Sequence, residues 1–260
     1  IDLAVGSVLG LTAVLSALMM IHWQWHPLVA VPVCLLIGAA SGAVSGGLIA
    51  RFRIQPFIAT LAMMVFARGA AKYISGGRKI AQGVETPSGF QFLPLPSFFD
   101  LLNAKIFLDN VAVVTLVFLG CLALSWVVLD RLRVGRHLYA IGGNETAARL
   151  SGVPVGWTKV FAYAMSGLFA AVAGICQAAQ ETQGDPEAGV SYELTAIAIV
   201  VIGGTSLTGG RGGMVLTLLG TLTIGYLEKI LSINAVSEAG RLMLTGAIIV
   251  SAVLFQRSRR

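Results

Sequence analysis

Residues 28–50 read Leu-Val-Ala-Val-Pro-Val-Cys-Leu-Leu-Ile-Gly-Ala-Ala-Ser-Gly-Ala-Val-Ser-Gly-Gly-Leu-Ile-Ala, 23 positions without a charged side chain. A helix needs roughly 20 predominantly apolar residues to cross the hydrocarbon of a bilayer, so this stretch predicts a membrane span. The same criterion marks spans at 1–20, 56–75, 109–130, 157–180, 212–231 and 240–256. Segment 193–208 is shorter, and Gly203 and Gly204 interrupt it. It reads as a broken or re-entrant helix buried against other helices. Composition agrees: 56% of the 260 residues are hydrophobic and 12% are charged, against about 25% charged in soluble domains. With a mean hydropathy of +0.84, the expected fold is all-α, a polytopic transmembrane helical bundle in contact with lipid.

The net charge of +6 would suit a nucleic-acid partner only if the basic residues lined one face. They instead cluster at span ends, so no nucleic-acid role follows. If segment 193–208 crosses, Arg51, Arg53, Arg131, Arg133, Arg136, Arg149, Lys159, Arg211, Arg257, Arg259 and Arg260 share one side, and Lys72, Arg78, Lys79, Lys105, Lys229 and Arg241 the other. The positive-inside rule then assigns loops 51–55 and 131–156 and the C-terminal tail to the cytoplasm.

Several features have bland readings that suffice. Cys34, Cys121 and Cys176 lie far apart in apolar stretches and read as small core hydrophobes. His22 and His26 have helical spacing, but Trp23, Trp25 and Pro27 around them read as an interfacial aromatic belt rather than a metal site. Gly38, Gly42 and Gly46, and Ser166, Ala170, Gly174 and Ala178, repeat every four residues and predict close helix contacts. Segment 76–108 is broken by Gly76, Gly77, Pro87, Gly89, Pro94 and Pro96. It reads as an external loop followed by a short amphipathic helix on the membrane surface, anchored by Phe90, Phe92, Phe98 and Phe99.

Segment 131–157 is the long polar stretch on the basic side. Asn144 can cap a helix there, Glu145 favours its positive end, Ala147, Ala148, Arg149 and Leu150 propagate it, and Gly152 with Pro154 ends it. From these residues alone it is either a docking element for another protein or an ordinary solvated loop. The glycine cluster from Gly203 to Gly213 lacks GxxxxGK[ST], so it gives no ground for ATP binding by this chain. Buried charge is costly, which singles out Asp2, Arg68, Glu193 and Glu228. Arg68 is expected to pair with an acid or with carbonyls inside the bundle. For Asp2 and Glu193, capping or snorkelling competes with a pathway role, and Glu228 beside Lys229 can reach the interface.

Four motifs run in order along the chain: Ile1-Asp2-Leu3-Ala4-Val5-Gly6-Ser7, Gln55-Pro56-Phe57-Ile58-Ala59-Thr60-Leu61, Gly135-Arg136-His137-Leu138-Tyr139-Ala140-Ile141-Gly142-Gly143-Asn144, and Val201-Ile202-Gly203-Gly204-Thr205-Ser206-Leu207-Thr208-Gly209-Gly210-Arg211-Gly212. Together they resemble the ribose-type permease subunits of bacterial ABC importers.

The resemblance implies a single transmembrane permease domain over 1–260 in the bacterial inner membrane, with further native sequence before Ile1. It implies a pathway for a monosaccharide delivered by a periplasmic sugar-binding protein. A second permease copy or a paralogue would complete that pathway, within membrane lipid. A separate cytoplasmic ABC ATPase would carry ATP and Mg, and this chain would bind no cofactor and catalyse no reaction. Loop 131–156 would hold the short cytoplasmic coupling helix, with Gly142, Gly143, Asn144, Glu145, Ala147, Arg149, Leu150 and Gly152 docking the ATPase. Asp2, Phe57, Thr60, Arg68, Glu193 and Thr205 are the candidates for pathway or gating. The alternative is an ion-coupled secondary transporter of a small polar solute, which would also use broken helices.

Overall fold

The computed structural model describes residues 1–86, 89–106, 110–237, 239–241, 243, 244, 246–248 and 250. The span expected at 240–256 therefore falls largely outside the described residues. So do Pro87 and the basic tail residues Arg257, Arg259 and Arg260.

Among the described residues ten helices account for most of the chain. They are α1 (Val5–Ala17), α2 (Pro27–Phe52), α3 (Pro56–Ser75), α4 (Ser97–Asn103), α5 (Val113–Trp126), α6 (Arg133–Gly143), α7 (Glu145–Leu150), α8 (Val155–Glu181), α9 (Tyr192–Ile202) and α10 (Met214–Ile233). π-helical turns at Leu18–His22 and Val127–Arg131 extend α1 and α5. With these extensions α1 and α5, together with α2, α3, α8 and α10, are long and apolar enough to cross a membrane. The architecture is the all-α polytopic bundle expected.

Local chemistry sets the boundaries. Pro27 and Pro56 open α2 and α3, where a missing N–H costs nothing. Gly76 closes α3 in the left-handed region at φ 61°, a conformation that glycine adopts without steric penalty. His26 Nδ1 accepts from Leu28 N at 3.3 Å, and His22 Nε2 lies 3.0 Å from Ala81 O. Both histidines thus have local structural partners.

The chain divides into two compact units. One comprises Asp2–Cys121 with Lys159–Glu193; the other comprises Leu122–Thr158 with the described residues from Leu194 on and Ile1. In the first unit α1 is the hub, with 78% of its spanning window buried, whereas the other spans are 6–28% buried. Those spans present Leu36, Phe66, Leu119 and Leu124 outward, as surfaces bathed in lipid require.

The small-residue stripe on α2 packs against α8. A Cβ on Gly38 would meet Ala171 Cβ at 2.5 Å, one on Gly42 would strike Tyr163 O, and one on Gly46 would meet Val160 Cα at 2.8 Å. The facing row on α8 is therefore Val160, Tyr163, Gly167 and Ala171. Gly174, from the stripe expected on α8, packs instead on α1 against Leu9 and Thr12. Without a hydrophobic drive between helices in lipid, such backbone proximity supplies the packing energy.

Segment 76–112 differs from the expected loop. β1 (Gly83–Thr86) pairs antiparallel with β2 (Gly89–Phe92), and β3 (Lys105–Ile106) with β4 (Val111–Ala112). The short helix exists as α4, but Phe99 and Leu102 are buried in the α1 core and Asn103 Nδ2 donates to Ala179 O at 2.6 Å. Its Phe99 and Leu102 face packs on protein, while Leu101 on the opposite face is exposed. Phe98 packs against the same core, while Phe90 and Phe92 are exposed and meet edge to face, so the expected four-phenylalanine anchor reduces to two.

Replacing Gly42 by Val pushes a branched side chain into the α8 backbone at Tyr163. The expected cost is about 1–3 kcal/mol from overpacking, read as a lower thermal midpoint in detergent, whereas the same change at Gly47, with open space around it, is close to neutral.

Candidate functional site

Between α8 and α9 the chain turns back into the bundle. Gly184 and Ile80 exchange backbone hydrogen bonds of 2.8 Å in both directions. Lys79 Nζ pairs with Asp185 at 2.9 Å and Lys72 Nζ with Glu187 at 2.6 Å. The segment then reaches the Arg68 guanidinium, which donates to Pro186 O, to Ala188 O at 2.8 Å and to Gly6 O at 3.2 Å. Arg68 is seven residues from the Ser75 end of α3, about 10 Å at the rise of an α-helix. The carbonyls of Pro186 and Ala188 thus meet Arg68 within the span of α3 rather than beyond its end, and Arg68 supplies their donors. Of the two partners expected for Arg68, carbonyls are the ones found. α9 begins directly after this segment and has 11 residues, about 16 Å, too short to cross a bilayer of about 30 Å. The break expected in 193–208 is found at Gly203 and Gly204, where α9 stops and Gly204 takes φ 79°; the re-entrant stretch precedes α9, at 182–191.

A cavity of about 420 Å³ opens beside the clamp, lined by Ser7, Arg68, Lys72, Ser191 and Glu193, with Met64, Val65 and Val190 as an apolar wall. Gly6 permits the approach: a Cβ there would strike Gly189 O and lie 2.5 Å from Glu193 Oε2. Among the described residues no hydrogen bond reaches the Glu193 carboxylate or the Ser7 and Ser191 hydroxyls. The charged edge is tuned as well. Burial alone would raise the Asp185 carboxyl, but the Lys79 hydrogen bond, the Glu187 N–H and the Lys79 and Arg68 charges hold it below the ordinary carboxylate range.

The other candidates are dispersed. Asp2 Oδ2 accepts from Ser166 Oγ at 2.7 Å and Oδ1 from Ala4 N at 2.9 Å, so it ties the start of α1 to α8. Thr60 is buried and returns its hydroxyl to Pro56 O at 2.9 Å, while Phe57 is exposed. Thr205 N donates to Val200 O at 2.9 Å just beyond α9, and its side chain packs against Gly212. Glu228 is exposed on α10. Of the six pathway candidates, only Arg68 and Glu193 share the cavity. Ser7, Lys72 and Ser191 were not singled out, although Lys72 stands four residues from Arg68 on one helix face and Ser7 closes the first motif.

In the second unit, segment 131–156 contains two helices rather than one. α6 went unrecognised although Val134, Leu138 and Ile141 share a face. α7 is the expected helix: Asn144 Oδ1 accepts from Ala147 N at 2.9 Å, Glu145 pairs with Arg149 at 3.0 Å, and Gly152 turns the chain at φ 81°. Ala148 is buried; Gly143, Asn144, Ala147, Arg149 and Gly152 are exposed, and Leu150 is 84% exposed. α6 also meets the loop after α9. A Cβ on Gly142 would lie 2.5 Å from Gly210 N, and Tyr139 Oη donates to Gly212 O at 3.0 Å. Burial and the nearby Asp130 raise the Tyr139 phenol, which keeps it a donor at neutral pH.

A family model described as branched-chain amino acid transport system / permease component matches residues 1–253. The chain belongs to this family of permease components. It is 39% identical over 260 residues to the ribose import permease protein RbsC of Escherichia coli (strain K12), covering 100% of this chain and 78% of that one. The Bacillus subtilis (strain 168) ribose import permease is 40% identical over 259 residues, covering 100% and 77%. The L-arabinose transport system permease protein AraH of Escherichia coli (strain K12) is 36% identical over 267 residues, covering 100% and 75%. No solved structure matches the chain. The permease is thus a transport component rather than an enzyme, and its apolar helices make it a multi-pass protein of the bacterial inner membrane.

Two outcomes follow for the clamp. Arg68→Met leaves carbonyls without donors at about 1–3 kcal/mol for each buried group, and amide exchange across 185–191 speeds by at least about tenfold while α2 is unaffected. For Asp185 the folded carboxyl titrates below the unfolded one, so its stabilisation is complete above the unfolded value and is lost as pH falls below about 4. The wild-type thermal midpoint should therefore fall more steeply than that of Asp185→Asn as pH is lowered from about 5 to about 3.

Proposed function

We propose that the chain is the monosaccharide-conducting permease subunit of a bacterial ATP-driven importer. A periplasmic binding protein delivers the sugar, a separate cytoplasmic ABC ATPase holds ATP and Mg, and a second copy or a paralogue of this chain completes the pathway. The observation that carries the reading is 36–39% identity, over 99–100% of this chain and 75–78% of each relative, with permeases named for ribose, arabinose and, in Bifidobacterium longum, fructose import. The family description mentions branched-chain amino acids, so the cargo rests on these relatives.

In this reading loop 131–156 is the cytoplasmic coupling loop and α7 the element that meets the ATPase. Its capped, ion-paired frame supports the role, because it fixes a short helix on which Leu150 is 84% exposed. Residues 142–152 form the docking strip. ATP binding and hydrolysis in the partner would shift the permease between outward and inward access, a coupling free energy between the docking strip and the pathway.

The test is sugar-stimulated ATP hydrolysis in proteoliposomes holding permease, ATPase and binding protein. Stimulation that vanishes without the permease is expected; uptake by the permease alone on an ion gradient overturns the reading in favour of a secondary transporter. Leu150→Glu should abolish co-purification of the ATPase while membrane insertion is unchanged. Retained co-purification and transport in that variant overturn the docking role of α7.

A further inference from the structure

We infer that the cavity between α1, α3 and the re-entrant segment is a transient binding site for one neutral, hydroxyl-rich monosaccharide, with Glu193, Ser7 and Ser191 as its hydrogen-bonding groups. The inference rests on the importer reading and adds a place within the chain where cargo pauses.

Position comes first. The cavity sits at the level of Arg68, within the spanning part of α3, yet Lys72, Arg68 and Glu193 line it. Charges at that depth do not face hydrocarbon; they face protein or water. The open side of this cavity is therefore on an aqueous route or against another protein surface, and not toward lipid tails.

Chemistry narrows the occupant. A carboxylate accepts hydrogen bonds, and a serine hydroxyl both donates and accepts. Three such groups, none of them hydrogen-bonded to protein among the described residues, line one open cavity, with the Glu193 charge facing that of Arg68. A ligand presenting several hydroxyls would satisfy all three, while Met64, Val65 and Val190 would pack against its C–H face. A cation is opposed by Arg68 and Lys72, and an anion by Glu193. An amino-acid zwitterion would need a free guanidinium for its carboxylate. Arg68 has already committed three of its N–H groups to Gly6, Pro186 and Ala188, and Lys72 is held by Glu187. The volume of about 420 Å³ lies near the lower end of ligand sites, roughly 300–1,000 Å³, which suits one sugar ring and leaves no room for a long oligosaccharide.

The experiment uses the complete importer in proteoliposomes, with Cys34, Cys121 and Cys176 replaced by alanine and a reporter cysteine introduced as Ser191→Cys or, separately, Val65→Cys. Labelling by a membrane-impermeant methanethiosulfonate is timed under turnover with D-ribose, L-arabinose, D-fructose, maltose or L-leucine. The expected result is that one monosaccharide slows labelling at least threefold at either reporter, while maltose and leucine do not. Adding Glu193→Gln to the Val65→Cys reporter should raise the sugar concentration needed for half-protection by about tenfold, the scale of a hydrogen bond to a charged group, while saturating sugar still protects. A merely structural role for Glu193 would abolish protection at saturating sugar. Sugar-stimulated hydrolysis with no protection at either reporter overturns the site and leaves the importer reading standing. Protection by leucine overturns the assignment to a sugar. Absence of stimulation by every sugar overturns the importer reading and the site together.

Discussion

One guanidinium holds the interior of this protein open to polar chemistry. Arg68 gathers carbonyls from α1 and from the segment between α8 and α9. Backbone that is neither helix nor sheet can exist at membrane depth only if its carbonyls find donors. An arginine supplies five of them in a rigid plane, where a lysine would supply three at a point. With the segment secured, α9 can start partway through the spanning region, and a cavity can exist beside it in which the Glu193 carboxylate faces the Arg68 charge.

The glycines around the clamp complete the same constraint. Gly6 and Gly189 bring two backbones into contact, and Gly10 leaves the room that Arg68 occupies, since a Cβ there would lie 2.6 Å from the guanidinium. Gly189 also takes φ 73°, in the region that favours glycine. The charge of Arg68 is thus surrounded by residues chosen for having no side chain. This explains why α1, the most buried span, tolerates so many glycines and serines.

Long apolar runs were legible in the sequence because length and hydropathy alone mark them. Spans expected at 28–50 and 56–75 appear as Pro27–Phe52 and Pro56–Ser75. The cap at Asn144 was legible too, since capping depends on four or five consecutive residues. What escaped was non-local or short. α6 lies in a segment rich in arginine and glycine, and its apolar face is only three residues long. The β1–β2 hairpin has exposed phenylalanines that periodicity assigns equally to an anchor. The cavity joins Ser7, Arg68 and Ser191 across more than a hundred residues, and no spacing rule reaches that far. Arg68 was recognisable as costly, but which carbonyls it would meet was set by the re-entrant turn and not by its neighbours in sequence.

The contact of Gly142 with Gly209 and Gly210 has a mechanical meaning. Where side chains separate two elements, a displacement of one is partly absorbed by rotamer changes in the layer between. Here the two backbones touch directly, with Tyr139 bonded to Gly212 alongside, and there is no such layer to yield. The contact therefore ties the position of α6 to that of the loop between α9 and α10. A methyl group at Gly142 would act as a shim, leaving both elements folded while setting them apart by a fixed offset.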